Sequence, residues 1–176
     1  MKLSRLAAFA AASLATLAFA APARAQGGPS DPQIAGIVVA ANQIDVDAGK
    51  LAKSRSKNKE VQEFAQRMIT DHTAVNQQAG ALVKKLGVKP EGSDTSKALQ
   101  AGAKENMAKL KGLKGAEFDK AYAAHEVAYH QQVLDAIDKV LMPNAKNAEL
   151  KGLLEKVRPA IAAHLDHAKM MVSHLK

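Results

Sequence analysis

Cysteine and tryptophan are both absent from this 176-residue chain, and phenylalanine and tyrosine together make up only 3% of it. Without thiols there is no disulfide framework and no thiolate-held zinc or iron–sulfur site, so the fold must rest on its own core or on a metal bound through nitrogen and oxygen. A cysteine nucleophile is excluded with them. Serines fall mostly in candidate caps and loops, so a Ser-His-Asp arrangement has no local support either. No alternating strand pattern competes with helical periodicity anywhere. Beyond the first 21 residues no stretch is apolar over the roughly 18–20 residues that cross a bilayer, which excludes an integral membrane protein built on helices.

What the chain does have begins at its N-terminus. Lys2 and Arg5 precede an apolar run from Leu6 to Ala21, interrupted only by Ser13 and Thr16, and Ala23-Arg24-Ala25 follows. That order is expected of a secretory signal peptide over residues 1–25, with a short lead over 26–30 and one helical domain over 31–176. The expected compartment is the periplasm or the exterior. Removing Lys2, Arg5 and Arg24 would lower the formal net charge from +8 to +5. The remaining lysines are interleaved with acids and apolar residues, without an arginine-rich stripe or aromatics between them. Nucleic acid is therefore not an expected partner, whereas loose association with an anionic envelope surface and self-association through exposed helix faces stay open.

Apolar residues recur at alternating steps of three and four. Ile34, Ile37, Ala41, Ile44, Ala48 and Leu51 mark a first helix, with Asp31 as its cap and Pro32 at the first helical position. Val61, Ala65, Met68, His72, Val75, Ala79, Leu82 and Leu86 mark a second, capped by Asn58 and closed by Gly87 and Pro90. Ser93 to Leu113 shows a sparse seam and reads as a weaker helix within a long connection. A fourth helix over about 116–141 carries Phe118, Tyr122, Tyr129, Val133, Ala136 and Val140 and stops at Pro143. The last starts near Asn147 and runs through Leu150, Leu154, Val157, Ile161, His164, Ala168, Met171 and Leu175, with a kink expected at Pro159. The predicted fold is all-α: a four-helix bundle with a long helical crossover between its second and third main helices.

Histidines 72 and 164 stand where the periods call for Leu or Val, and His125 borders its seam. An unsatisfied buried polar ring costs on the order of 1–3 kcal/mol, so these positions require an explanation. Counting residues from the tight turns at 1.5 Å each brings His72, His125 and His164 to similar heights, with Asp45 and Glu126 nearby. Imidazoles with carboxylates facing inward from several helices suit zinc, copper or iron; a layer of hydrogen-bonded side chains is the alternative. His130, His167 and His174 fall off the seams, although His164 and His167 share a helix face. The chain lacks Glu-x-x-His, which disfavours a di-iron carboxylate centre. Met68 and Met171 lie on seams and read as core, not as copper ligands.

Several segments carry a resemblance: Asp31-Pro-Gln-Ile, Met68-Ile-Thr-Asp-His-Thr, Phe118-Asp-Lys-Ala-Tyr, His125-Glu-Val-Ala-Tyr-His and His164-Leu-Asp-His. Together they resemble a bacterial family of secreted proteins of unknown function, labelled membrane or outer-membrane proteins, with a ferritin-like fold. The resemblance implies that fold, an envelope location and no established reaction; Asp71, His72, His125, Glu126 and His164 match its most recognisable positions. The functional expectation is a binding or envelope stress-related module with a histidine-centred metal site. A metal-dependent oxidoreductase and a purely structural interaction protein are the alternatives.

Overall fold

A computed structural model of the chain describes residues 27–175. The expected signal peptide lies outside them, apart from which the expected helices are all present. They are α1 (Asp31–Arg55), α2 (Lys59–Lys85), α3 (Asp94–Gly112), α4 (Gly115–Ala136), a π-helical turn (Ile137–Leu141) continuous with a short α5 (Met142–Asn144), and α6 (Ala148–His174). Helices α1 and α2 form one antiparallel hairpin and α4 and α6 another, while α3 lies mainly along α1. Among the described residues no helix is long and apolar enough to cross a membrane.

Local chemistry explains most boundaries. Asn58 and Asn147 cap α2 and α6, each side chain accepting two backbone N–H bonds of the first turn. At α1 the expected cap is displaced by one residue: Ser30 is the N-cap, in a reciprocal capping box with Gln33. Asp31 is thereby freed to reach across the molecule, where its two oxygens accept from the Lys146 and Asn147 amides at 2.9 and 3.0 Å. Pro159 sits inside α6, which continues through it.

The π turn has a local cause. Pro143 cannot donate, and its ring crowds the carbonyl four residues earlier. The preceding turn opens, and the Met142 amide bonds Ile137 O, five residues back. Glycines permit two close approaches. A Cβ at Gly49 would lie 2.9 Å from Ala65 O, so this glycine lets α1 and α2 touch. A Cβ at Gly36 would collide with Glu91 O, in the connection whose Glu91 amide bonds Pro32 O at 2.9 Å.

Two apolar cores result. One gathers Ile34, Ile37, Leu134, Ile137, Leu154 and Ile161. The other gathers Ala52, Phe64, Met68, Leu110, Phe118 and Tyr122. Near the junction of the two sets each of α1, α2, α4 and α6 buries polar side chains: Asn42 and Asp45, His72, Glu126 and His130, and His164. The bundle is thus interrupted at mid-height by a polar layer with hydrophobic material above and below.

Candidate metal centre

The layer is assembled by helical spacing. On α4, Phe118, Tyr122, Glu126, His130 and Leu134 follow one another at steps of four and are all buried, Glu126 and His130 completely. The inward face of α4 is therefore rotated from the expected seam. His130, expected off the seam, points into the core, whereas His125 is only half-buried and stacks on Tyr129 with ring centroids 5.5 Å apart. Val133 and Ala136 are likewise only half-buried. His72 and His164 occupy their seams as expected. Of the five expected site residues, the structure brings Asp45, His72, Glu126 and His164 together around His130, and leaves His125 outside. His167 packs on Phe64 at 5.1 Å and is not part of the group.

The three buried rings form a nearly equilateral triangle, with centroids 5.7 Å apart for His72 and His130, 5.3 Å for His72 and His164, and 5.4 Å for His130 and His164. One ligand atom from each lies within 4.8 Å of the others, and the same holds for the set Asp45, Glu126 and His130.

Each ring has one nitrogen committed to an acceptor, which fixes its tautomer when neutral. His72 Nδ1 lies 2.7 Å from Asn42 Oδ1, and Asn42 Nδ2 donates to Val38 O at 2.7 Å, so the amide oxygen must face the ring and Nδ1–H must be the donor. His130 Nδ1–H donates to Glu126 O at 2.9 Å. His164 Nε2–H donates to Asp71 Oδ2 at 2.9 Å. The remaining nitrogens, His72 Nε2, His130 Nε2 and His164 Nδ1, are buried without a hydrogen-bond partner. These are the nitrogens that bear lone pairs in the neutral rings.

The carboxylates make the same point with the opposite charge. Asp45 Oδ1 and both oxygens of Glu126 are buried and lack hydrogen-bond donors, as does the Tyr122 hydroxyl. Asp45 Oδ2 lies 3.4 Å from His72 Nε2, so a carboxylate faces a lone pair, an arrangement that repels unless a proton or a cation intervenes. Burial, with the Glu126 charge adding to it, holds the Asp45 carboxyl well above the usual carboxylate range despite the opposing His130. Burial, followed by the neighbouring His130 and His164, pushes His72 well below the usual imidazole value, and burial also lowers His164 against the pull of Asp71. His130 behaves differently. Burial disfavours its charge, but Glu126 and Asp45 outweigh that and raise it to about 9.

Over residues 5–171 the chain matches the family described as Domain of unknown function (DUF4142). The chain belongs to this family. No curated protein and no solved structure matches it. In this DUF4142 domain, three buried imidazoles, the buried oxygens of Asp45 and Glu126 and outer anchors such as Asn42 and Asp71 compose a cluster suited to a transition-metal ion. Tetrahedral ligation at about 2.0–2.1 Å places donor atoms roughly 3.3 Å apart, so the three nitrogens would draw together on binding.

The role of His130 was legible in one signal only, the strict fourfold spacing Phe118, Tyr122, Glu126, His130. Asp71 was marked only by the family resemblance, and the anchoring role of neither Asn42 nor Asp71 carried a signal of its own, because an outer anchor needs only an oxygen in the right place.

Proposed function

We propose that this protein is an exported, ferritin-like helical bundle that holds a first-row transition-metal ion in the cell envelope through His72, His130 and His164. Asp45 and Glu126 supply compensating negative charge. The observation that carries this reading is the convergence of three buried imidazole nitrogens, each without a partner and each turned inward by a hydrogen bond at the other side of its ring. Imidazole favours zinc, copper or iron over magnesium or calcium, and the carboxylates would offset the charge of a divalent ion. When bound, such an ion supplies Lewis acidity or redox capacity. The chain's own residues orient the rings, exclude water and take the ion from three different helices. The leader-like residues 1–25 support export, and holding an ion, not turning over a substrate, is the activity proposed.

Elemental analysis of the protein isolated from its native envelope, beside a His72, His130 and His164 triple-alanine variant, tests this. Near-stoichiometric zinc, copper or iron in the first and background in the second is the expected result. Background metal in both, persisting after titration with each ion, would reject the site. Mass determination of the exported chain checks the leader: a chain beginning at Gln26 is expected, and one retaining residues 1–25 would overturn export by cleavage.

A further inference from the structure

A cavity of about 80 Å³ lies against the polar layer, between α1, the end of α4 with its π turn, and α6. Its walls are apolar, formed by residues such as Ile37, Leu154 and Ile161, and its inner end is closed by Asn42, Asp45 and His72. Thr95 and Leu99 of α3 cover it from the side, Thr95 being exposed. Helix α3 is the most weakly seated of the long helices, burying only Ser96 and Leu110.

We propose that this cavity is a binding pocket for an uncharged diatomic molecule of the size and polarity of dioxygen, held beside the metal centre. Its shape and lining select that class. A bound water needs two to four polar partners; apart from Asn42, Asp45 and His72 at the inner end and Thr95 and Gln132 elsewhere, the lining is apolar and offers none. An anion would meet the Asp45 carboxyl with no lysine or arginine among the lining residues. Acyl chains and aromatic rings are too large, since a cavity that takes benzene measures about 150 Å³. The π turn contributes Ile137 and Leu141 to the wall, and such local widenings of a helix recur at functional sites. The inner end is lined by His72, so an occupant would sit next to a proposed ligand of the ion. The pocket rests on the cavity alone, while its relevance to the metal rests on the function proposed above.

Dioxygen can serve as its own probe, because its paramagnetism speeds relaxation of methyl groups near which it dwells. Methyl spectra of the exported protein under oxygen pressure, with and without zinc, are expected to show several-fold greater enhancement at Ile37 and Ile161 than at Leu110, which is equally buried in the other core. Ala41→Leu and Ala136→Leu fill the space from different helices. Either variant, shown to be folded by circular dichroism, is expected to abolish the difference. Equal enhancement at all three methyls in the unaltered protein would overturn the pocket. Selective enhancement in a protein that takes up no zinc would retain the pocket and overturn only the reading of the centre.

Discussion

Zinc added to the metal-free protein is expected to raise its melting temperature, and the size of the rise follows from where the ligands sit. His72, His130 and His164 come from α2, α4 and α6, with 34 residues the shortest chain separation between any two of them, so the unfolded chain cannot present the triad. Zinc therefore binds the native state preferentially and stabilises it by mass action, by about 2.7 kcal/mol at a free concentration one hundred times the dissociation constant. For a domain of this size that corresponds to a rise of about 5–11 °C. The nitrogens are within 4.8 Å and must close to ligating separation, which sets the affinity but not the form of this dependence. A proton must also leave His130, whose pKa is raised to about 9, so affinity should increase about tenfold per pH unit from neutrality towards 9. Differential scanning calorimetry at several zinc concentrations and two pH values measures both. His130→Ala should remove most of the shift, whereas His125→Ala should leave it intact. A shift that survives His130→Ala and vanishes in His125→Ala would refute the assignment of the inward ring.

The anchors behind the ligands should matter nearly as much: Asn42→Ala and Asp71→Ala are each expected to weaken zinc binding about 10–100-fold by calorimetric titration, with the fold preserved. In the metal-free protein His130, raised from 6.5 to about 9, contributes about 3 kcal/mol of stability that is complete below pH 6.5 and lost as pH rises through about 9. His72 and His164 are lowered, so their contribution has the opposite sign and stability falls below pH 6.5, where the unfolded rings take up protons first. Urea midpoints from pH 5 to 10 should therefore pass through a maximum near neutrality, and a monotonic rise to pH 10 would contradict the His130 assignment. Phe64→Ala, at a fully buried ring edge-on to Tyr122, should cost about 3–5 kcal/mol in urea unfolding; a cost under half of that would mean the core around Phe64, Met68 and Phe118 repacks freely.

Where periodicity was dense the sequence was a good guide. On α6 the expected residues Leu150, Leu154, Val157, Ile161, His164, Ala168 and Met171 are buried, and only Leu175 at the end of the seam is half-buried. On α4 apolar and polar residues alternate in smaller steps, and several faces satisfy the same count. Placing polar groups outside by default favoured Val133 and Ala136 and hid His130, although Phe118, Tyr122 and the expected Glu126 already pointed along its line. The π turn was not legible, since it arises from the way Pro143 is accommodated after α4 has committed to the core. Nor was the role of Asp31, whose partners lie 115 and 116 residues away.

Asp71 and His72 are neighbours on α2, yet one grips a ring on α6 while the other leans on α1. A single peptide unit thus reports on two interfaces. Were α2 to slide by one residue, both imidazoles would be unseated together and the cluster would fail outright, not by degrees. If the centre holds an ion as proposed, it would act as a latch on alignment: an ion bound there would require three rods to stand at one relative height.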